Sequence, residues 1–120
     1  MQTRIHTQGF ELTGAIRDRV ERHTARNLNR YGEELLGVDV YLSDVNGPRA
    51  GDDKKAVVRA SLRGLPPISI STEHNDLYVA ISRSAKRMQR AVKRSLRKSH
   101  RVEPRRVLEL RRLSPDPIGS

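Results

Sequence analysis

The sequence predicts a two-layer α+β domain with the element order β-α-β-β-β-α, in which both helices cover one face of a four-stranded sheet. Two kinds of periodicity lead there. Residues 38–43, 56–63 and 68–73 alternate apolar and polar side chains with period two, as in a half-exposed antiparallel sheet. Residues 13–31 and 75–101 instead repeat apolar side chains every three or four positions, which puts them on one helix face.

Taken in order, residues 2–7 read as a short strand with Ile5 inward. Thr13 is a good N-cap for the first helix, along which Ile16, Val20, Thr24, Leu28 and Tyr31 share a face, and Gly32 is placed to end it. In the next strand Val38, Val40 and Leu42 alternate with Asp39, Tyr41 and Ser43. A loop from Asn46 to Asp53 leads to a strand in which Ala56, Val58, Ala60 and Leu62 form the apolar set. The tighter Gly64-Leu65-Pro66-Pro67 turn leads to Ile68, Ile70 and Thr72. In the last helix Leu77, Ile81, Ala85, Met88, Val92 and Leu96 share a face, and Asn75 or Asp76 supplies the cap. Tyr31 and Tyr78 fit helix-core positions, while Tyr41 points outward from the sheet. The first crossover should set strand one parallel to strand two. Glu103-Pro104 should end the helix, which gives a domain over 1–101 and a basic, flexible tail over 102–120.

Composition narrows the function. The 120 residues suit one domain, and no run of 18 apolar residues offers a membrane span. Met1 to His6 has no signal-like apolar run, so a cytoplasmic location is expected. The absence of cysteine excludes disulfides and thiolate metal sites. Lys and Arg number 24 against 14 Asp and Glu, a formal charge of +10. Residues 1–60 hold 10 basic and 9 acidic side chains, and residues 61–120 hold 14 and 5. A field so lopsided attracts a polyanion. Nucleic acid is the commonest in a cytosol, with an anionic membrane surface the rival.

The last helix sharpens that reading. Arg83, Lys86, Arg87, Arg90, Lys93, Arg94, Arg97, Lys98 and Arg101 fall opposite its apolar face, and no acidic residue occurs between Leu77 and Val102. Like charges at i,i+4 repel by about 0.2–0.5 kcal/mol per pair, so solubility alone would favour mixed signs. A membrane-binding helix would need the apolar side that this one must give to the core. On the first helix Arg19, Arg22, Arg26 and Arg30 line a ridge beside the apolar face. If the helices pack side by side, the two basic ridges border a groove suited to a phosphate backbone. Ordinary surface arginines are the bland alternative. With aromatics limited to Phe10, Tyr31, Tyr41 and Tyr78, recognition should rest on phosphates and the shape of folded RNA.

Catalysis has little support. His6, His23, His74 and His100 lack metal-ligand spacing, and Gly47, Gly51 and Gly64 read as turns rather than a phosphate cradle. His74, close to Glu73 and Asp76, reads as a surface residue near a helix cap. No cofactor, metal or small-molecule substrate is expected.

Two segments carry a family resemblance. Phe10-Glu11-Leu12-Thr13-Gly14-Ala15-Ile16-Arg17 and Asp76-Leu77-Tyr78-Val79-Ala80-Ile81, with the basic Arg87, Arg90, Arg94 and Lys98, resemble the ribosome hibernation-promoting factors, also called ribosome-associated inhibitors. The likeness spans residues 1–101. Asp76, Tyr78, Ala80 and Ile81 match the family's D-x-Y-x-A-I signature, whereas Ser82 stands where a second Asp is frequent and Thr3 where an apolar residue is usual. The resemblance implies an architecture similar to double-stranded-RNA-binding domains and a non-catalytic factor. Such a factor sits on small-subunit rRNA in the mRNA and tRNA channel, excludes both, silences ribosomes under stress and in some members aids ribosome pairing. The residues after Val102 are too few for the C-terminal dimerisation domain of long members, which implies a short form or an N-terminal portion. The RNA contact would then fall to Arg22 and Arg26 with the nine cations of the last helix. A general double-stranded-RNA module acting on free structured RNA is the alternative.

Overall fold

Thr13 starts the first helix by offering its hydroxyl oxygen to the amide of Ile16, 3.2 Å away, in place of a missing intrahelical partner. In the computed structural model, which describes residues 2–44 and 54–113 with side chains through residue 99, the order is β1 (Gln2–Gln8), α1 (Gly14–Leu28), a 3-10 turn (Asn29–Tyr31), β2 (Leu35–Asp44), β3 (Lys54–Leu62), β4 (Ile68–His74) and α2 (Leu77–Leu113). The loop expected over 46–53 lies outside the described residues. The sheet has the order β1-β2-β3-β4, with β1 parallel to β2 and the other pairs antiparallel, so the predicted fold class and the parallel first crossover are both found.

Alternation decides which sheet face is covered. Val38, Val40 and Leu42 of β2, Ala56, Val58, Ala60 and Leu62 of β3 and Thr72 of β4 are buried on one face. Opposite them, Ile16, Val20 and Leu28 of α1 and Ala80, Ile81, Ala85 and Met88 of α2 are buried too. Leu35 breaks the alternation, lying three residues before Val38 yet also buried. A bulge between Leu35 and Gly37 restores the phase and leaves Leu36 exposed. Gly9 fits the turn after β1 for two reasons: its φ is +89°, and a Cβ there would stand 3.1 Å from the Asp44 carbonyl oxygen.

Several sequence expectations need correction. Gly32 caps the 3-10 turn with an ordinary φ of −58° rather than ending α1 in the left-handed region. Tyr78 is 37% exposed instead of buried in the core, with Arg19 of α1 over its ring. Asp39, expected on the solvated face, is buried there by two β1 side chains. The helix does not stop at Glu103-Pro104 but runs through to Leu113. Proline removes one backbone donor and crowds the preceding turn, a cost of about 3 kcal/mol. The Arg, Leu and Glu residues that follow are strong helix formers and carry the helix on. Of the supposed tail, residues 102–113 are therefore helical and 114–120 lie outside the described residues.

The chain forms two compact units, Met1–Arg90 and Ala91–Ser120. The second opens with helical residues in which Val92 is buried, Leu96 half-buried, and Lys93, Arg94, Arg97 and Lys98 exposed. No helix among the described residues is long and apolar enough to cross a membrane.

Candidate nucleic-acid interface

The start of α2 is set by two local acceptors. Asp76 Oδ1 takes the amide of Tyr78 at 2.9 Å, and the Asp76 carbonyl takes that of Ala80 at 3.0 Å. His74 Nδ1 accepts the amide of Asp76 at 2.9 Å, which gives this histidine a positioning part in the cap. From that start, a rotation of about 100° per residue sends Ala80, Ile81, Ser84, Ala85 and Met88 inward. It sends Arg83, Lys86, Arg87 and Arg90 outward, and all four are exposed.

The four cations have different settings. Arg87 leans toward the sheet edge: its Nη1 donates to the Ser71 carbonyl oxygen at 2.7 Å and to Thr72 Oγ1 at 2.9 Å, both on β4. Its remaining guanidinium donors face outward. Lys86 lies on the opposite flank and contributes, with Arg26, Arg19 and Arg22 of α1, to the positive field at His23. Arg83 and Arg90 fall between these two on the helix wheel.

The α1 ridge meets α2 from the other side. The Arg19 guanidinium lies 4.7 Å from the centre of the Tyr78 ring, a cation–π contact that joins the helices. Arg22 and Arg26 are exposed one turn apart. His23 sits between the ridges. Burial lowers its pKa, and the charges of Arg26, Arg19, Lys86 and Arg22 lower it further. Its Nδ1 is buried without a hydrogen-bond partner. Arg19, Arg22 and Arg26 of α1 and Lys86 of α2 thus all act on one imidazole. The spacing of Arg19, Arg22 and Arg26 places these three on one side of α1. It gave no sign that His23 would be the meeting point, because that depends on the helix packing.

Of the other expected contact residues, Lys93, Arg94, Arg97 and Lys98 are exposed in the second unit. The side chain of Arg101 lies outside the described residues. The interface has one aromatic at its seam, Tyr78, already engaged by Arg19. The groups exposed here are mainly guanidinium and ammonium. No group of three or more potential metal ligands occurs among the described residues.

Against known proteins, the family described as sigma 54 modulation protein / S30EA ribosomal protein matches residues 3–100. Among solved structures, the N-terminal domain of Protein Y from Thermus thermophilus is 36% identical, with a TM-score of 0.61 over 78% of this chain and 93% of that one. A ribosomal subunit interface protein from Coxiella burnetii is 16% identical, with a TM-score of 0.66 over 78% of this chain and 96% of that one, a likeness of fold alone. No curated protein matches the sequence.

Proposed function

Since the chain belongs to the sigma 54 modulation protein / S30EA ribosomal protein family, a family of ribosome-associated modulation factors, we propose that it is a translation inhibitor that binds small-subunit rRNA and silences ribosomes by occupying the mRNA and tRNA channel. The observation that carries this reading is the convergence of the α1 and α2 cations around His23 on a helix layer whose apolar side is spent on the core. Arg22, Arg26, Arg83, Lys86 and Arg90 are the contact residues, and Arg87 adds the donors that β4 leaves unused. In the second unit the exposed Lys93, Arg94, Arg97 and Lys98 are further phosphate contacts.

Inhibition on this reading is steric. The domain performs no chemistry; its bulk stands where mRNA and tRNA would pass, and its cations replace counterions on the rRNA. Six to ten phosphate contacts imply a loss of about 10³–10⁵ in affinity between 50 and 200 mM salt. The test is sedimentation of the protein with ribosomes through sucrose gradients at low and moderate salt. Co-migration with small subunits or whole ribosomes, displaced by bound mRNA and tRNA, is expected, and a heavier ribosome-pair peak would add a role in dimerisation. Protein that stays at the top of the gradient at both salts while shifting free duplex RNA would replace this reading with that of a general double-stranded-RNA module.

A further inference from the structure

The sheet face away from the helices carries a second arrangement that the cation groove does not use. Its outward side chains form a lattice set by strand register. His6 of β1 is the parallel partner of Tyr41 on β2, and Tyr41 is the antiparallel partner of Val57 on β3. The His6 and Tyr41 rings are stacked, with centroids 4.6 Å apart and planes 14° from parallel. That separation is close to the spacing between neighbouring strands, so the rings stack across the sheet. The free face of Tyr41 then looks along the sheet toward β3, above the short side chain of Val57. One position further along the strands, Ser43 is too small to fill its place. A hollow of about 320 Å³ results, with His6, Tyr41, Val57 and Lys55 among its lining residues, near the lower bound for small-molecule clefts.

Charge gives the occupant its second property. Lys55 and Arg59 stand on either side of Val57 among the outward positions of β3. Asp39, the register partner of Arg59, has its carboxylate occupied by Arg4 at 2.9 Å and by His6 at 3.2 Å. Glu73 of β4 is the partner of Lys55 in register, and no ion pair joins them among the described residues. Tyr41 is 42% exposed although a ring of its size gains from being covered. An aromatic face, an apolar floor and Lys55 in the lining, with Arg59 beyond Val57 on the same strand, match a flat ring on a polyanionic chain.

We propose that this open sheet face is a stacking site for one unpaired RNA base, which lies on the free face of Tyr41 above Val57 with its flanking phosphates at Lys55 and Arg59. His6 backs the Tyr41 ring, and Asp39 holds His6 in place through the 3.2 Å contact. The site rests on the RNA-binding reading but uses the face opposite the helix groove. A ribosomal site that offers one splayed-out base beside a folded helix would engage both faces, which phosphate contacts alone do not select.

The test is binding of the full chain to a short single-stranded oligoadenylate and to an RNA duplex, for the parent, Tyr41→Ala and Tyr41→Phe. Tyr41→Ala should weaken oligoadenylate binding about tenfold with the salt slope unchanged, and Tyr41→Phe should retain affinity. Duplex binding should not move, because its bases are paired. A photoreactive base in the oligonucleotide should cross-link to the β1–β3 face. Equal oligoadenylate affinity for Tyr41→Ala and the parent, or cross-links confined to α1 and α2, would overturn the site. In parallel, an Arg83→Glu, Lys86→Glu, Arg90→Glu variant should lose ribosome co-sedimentation. Failure of that arm alone would sink the helix-groove reading and leave the sheet site standing.

Discussion

Arg87 Nη1 lies 2.7 Å from the carbonyl oxygen of Ser71 and 2.9 Å from Thr72 Oγ1, tying the middle of α2 to the edge strand β4. One of the cations expected to meet RNA is therefore also a structural brace.

Arg87→Gln should accordingly cost stability while Arg90→Gln does not. A hydrogen bond from a charged donor contributes about 1.5–3 kcal/mol when well buried. Arg87 is exposed, so about 1 kcal/mol is expected, against less than about 0.5 kcal/mol for Arg90→Gln. Urea unfolding of the two variants side by side checks this. Equal stabilities would mean that the β4 contact contributes nothing in solution.

In RNA binding, each neutralised phosphate contact should reduce the slope of log affinity against log salt by about one. Arg22→Gln, Arg26→Gln, Arg83→Gln and Lys86→Gln are each expected to do so, whereas Arg63→Gln, in the turn after β3, should leave the slope unchanged. Filter binding to an rRNA fragment over a salt series measures it. A slope unaltered by the four groove variants would remove them from the interface.

His23 links binding to pH. Its pKa is held below the ordinary imidazole value by burial and by four nearby cations. Without RNA the folded protein therefore binds this proton less well than the unfolded chain. Stability is full above the unfolded value of about 6.5 and falls as pH drops from there toward the folded pKa. Phosphates in the groove would cancel the field of Arg26, Arg19, Lys86 and Arg22 and raise the His23 pKa. Binding should then take up a proton and tighten as pH falls below neutrality. Calorimetry in buffers of different ionisation enthalpy reads the proton directly. His23→Gln should abolish the uptake while keeping most of the affinity.

Asp39 acts in the same sense at lower pH. Burial alone would raise its pKa, but hydrogen bonds and charge from Arg4 and His6 outweigh that and hold it below the usual carboxylate range. Its contribution is complete above the unfolded value of about 3.9 and is lost as pH falls through the lower folded value. Asp39→Asn should flatten the acid limb of the stability profile, followed by denaturant unfolding from about pH 5 downward. An unchanged acid limb would show that the Arg4 and His6 contacts do not persist in solution.

Much of this architecture is legible in the sequence because it rests on local periodicity. Val38, Val40 and Leu42, the Leu77-to-Met88 face and the Thr13 cap each follow from spacing and one chemical rule. What escapes is set by distant partners. Asp39 looks like a solvated strand residue until the parallel register brings Arg4 beside it from 35 positions away. Tyr78 fits the helix-core pattern, but Arg19 of another helix takes its ring at the surface. The cations of the groove can be listed from the sequence, yet the convergence on His23 depends on how α1 and α2 pack. Pro104 misleads in a different way, since a local stop signal is outweighed by the helix-forming residues after it.

The absence of acidic residues between Leu77 and Val102 of α2 also shapes the free protein. Arg83 with Lys86 and Arg87, and Arg90 with the same two, make four close like-charge pairs at three- and four-residue spacing, together opposing the helix by about 1–2 kcal/mol. Added salt relieves that repulsion in the unbound chain, while on the proposed function it weakens the grip on RNA. On that reading the two properties move in opposite directions along one axis: the ionic strength that relieves the helix repulsion is the one at which the RNA would be released most readily.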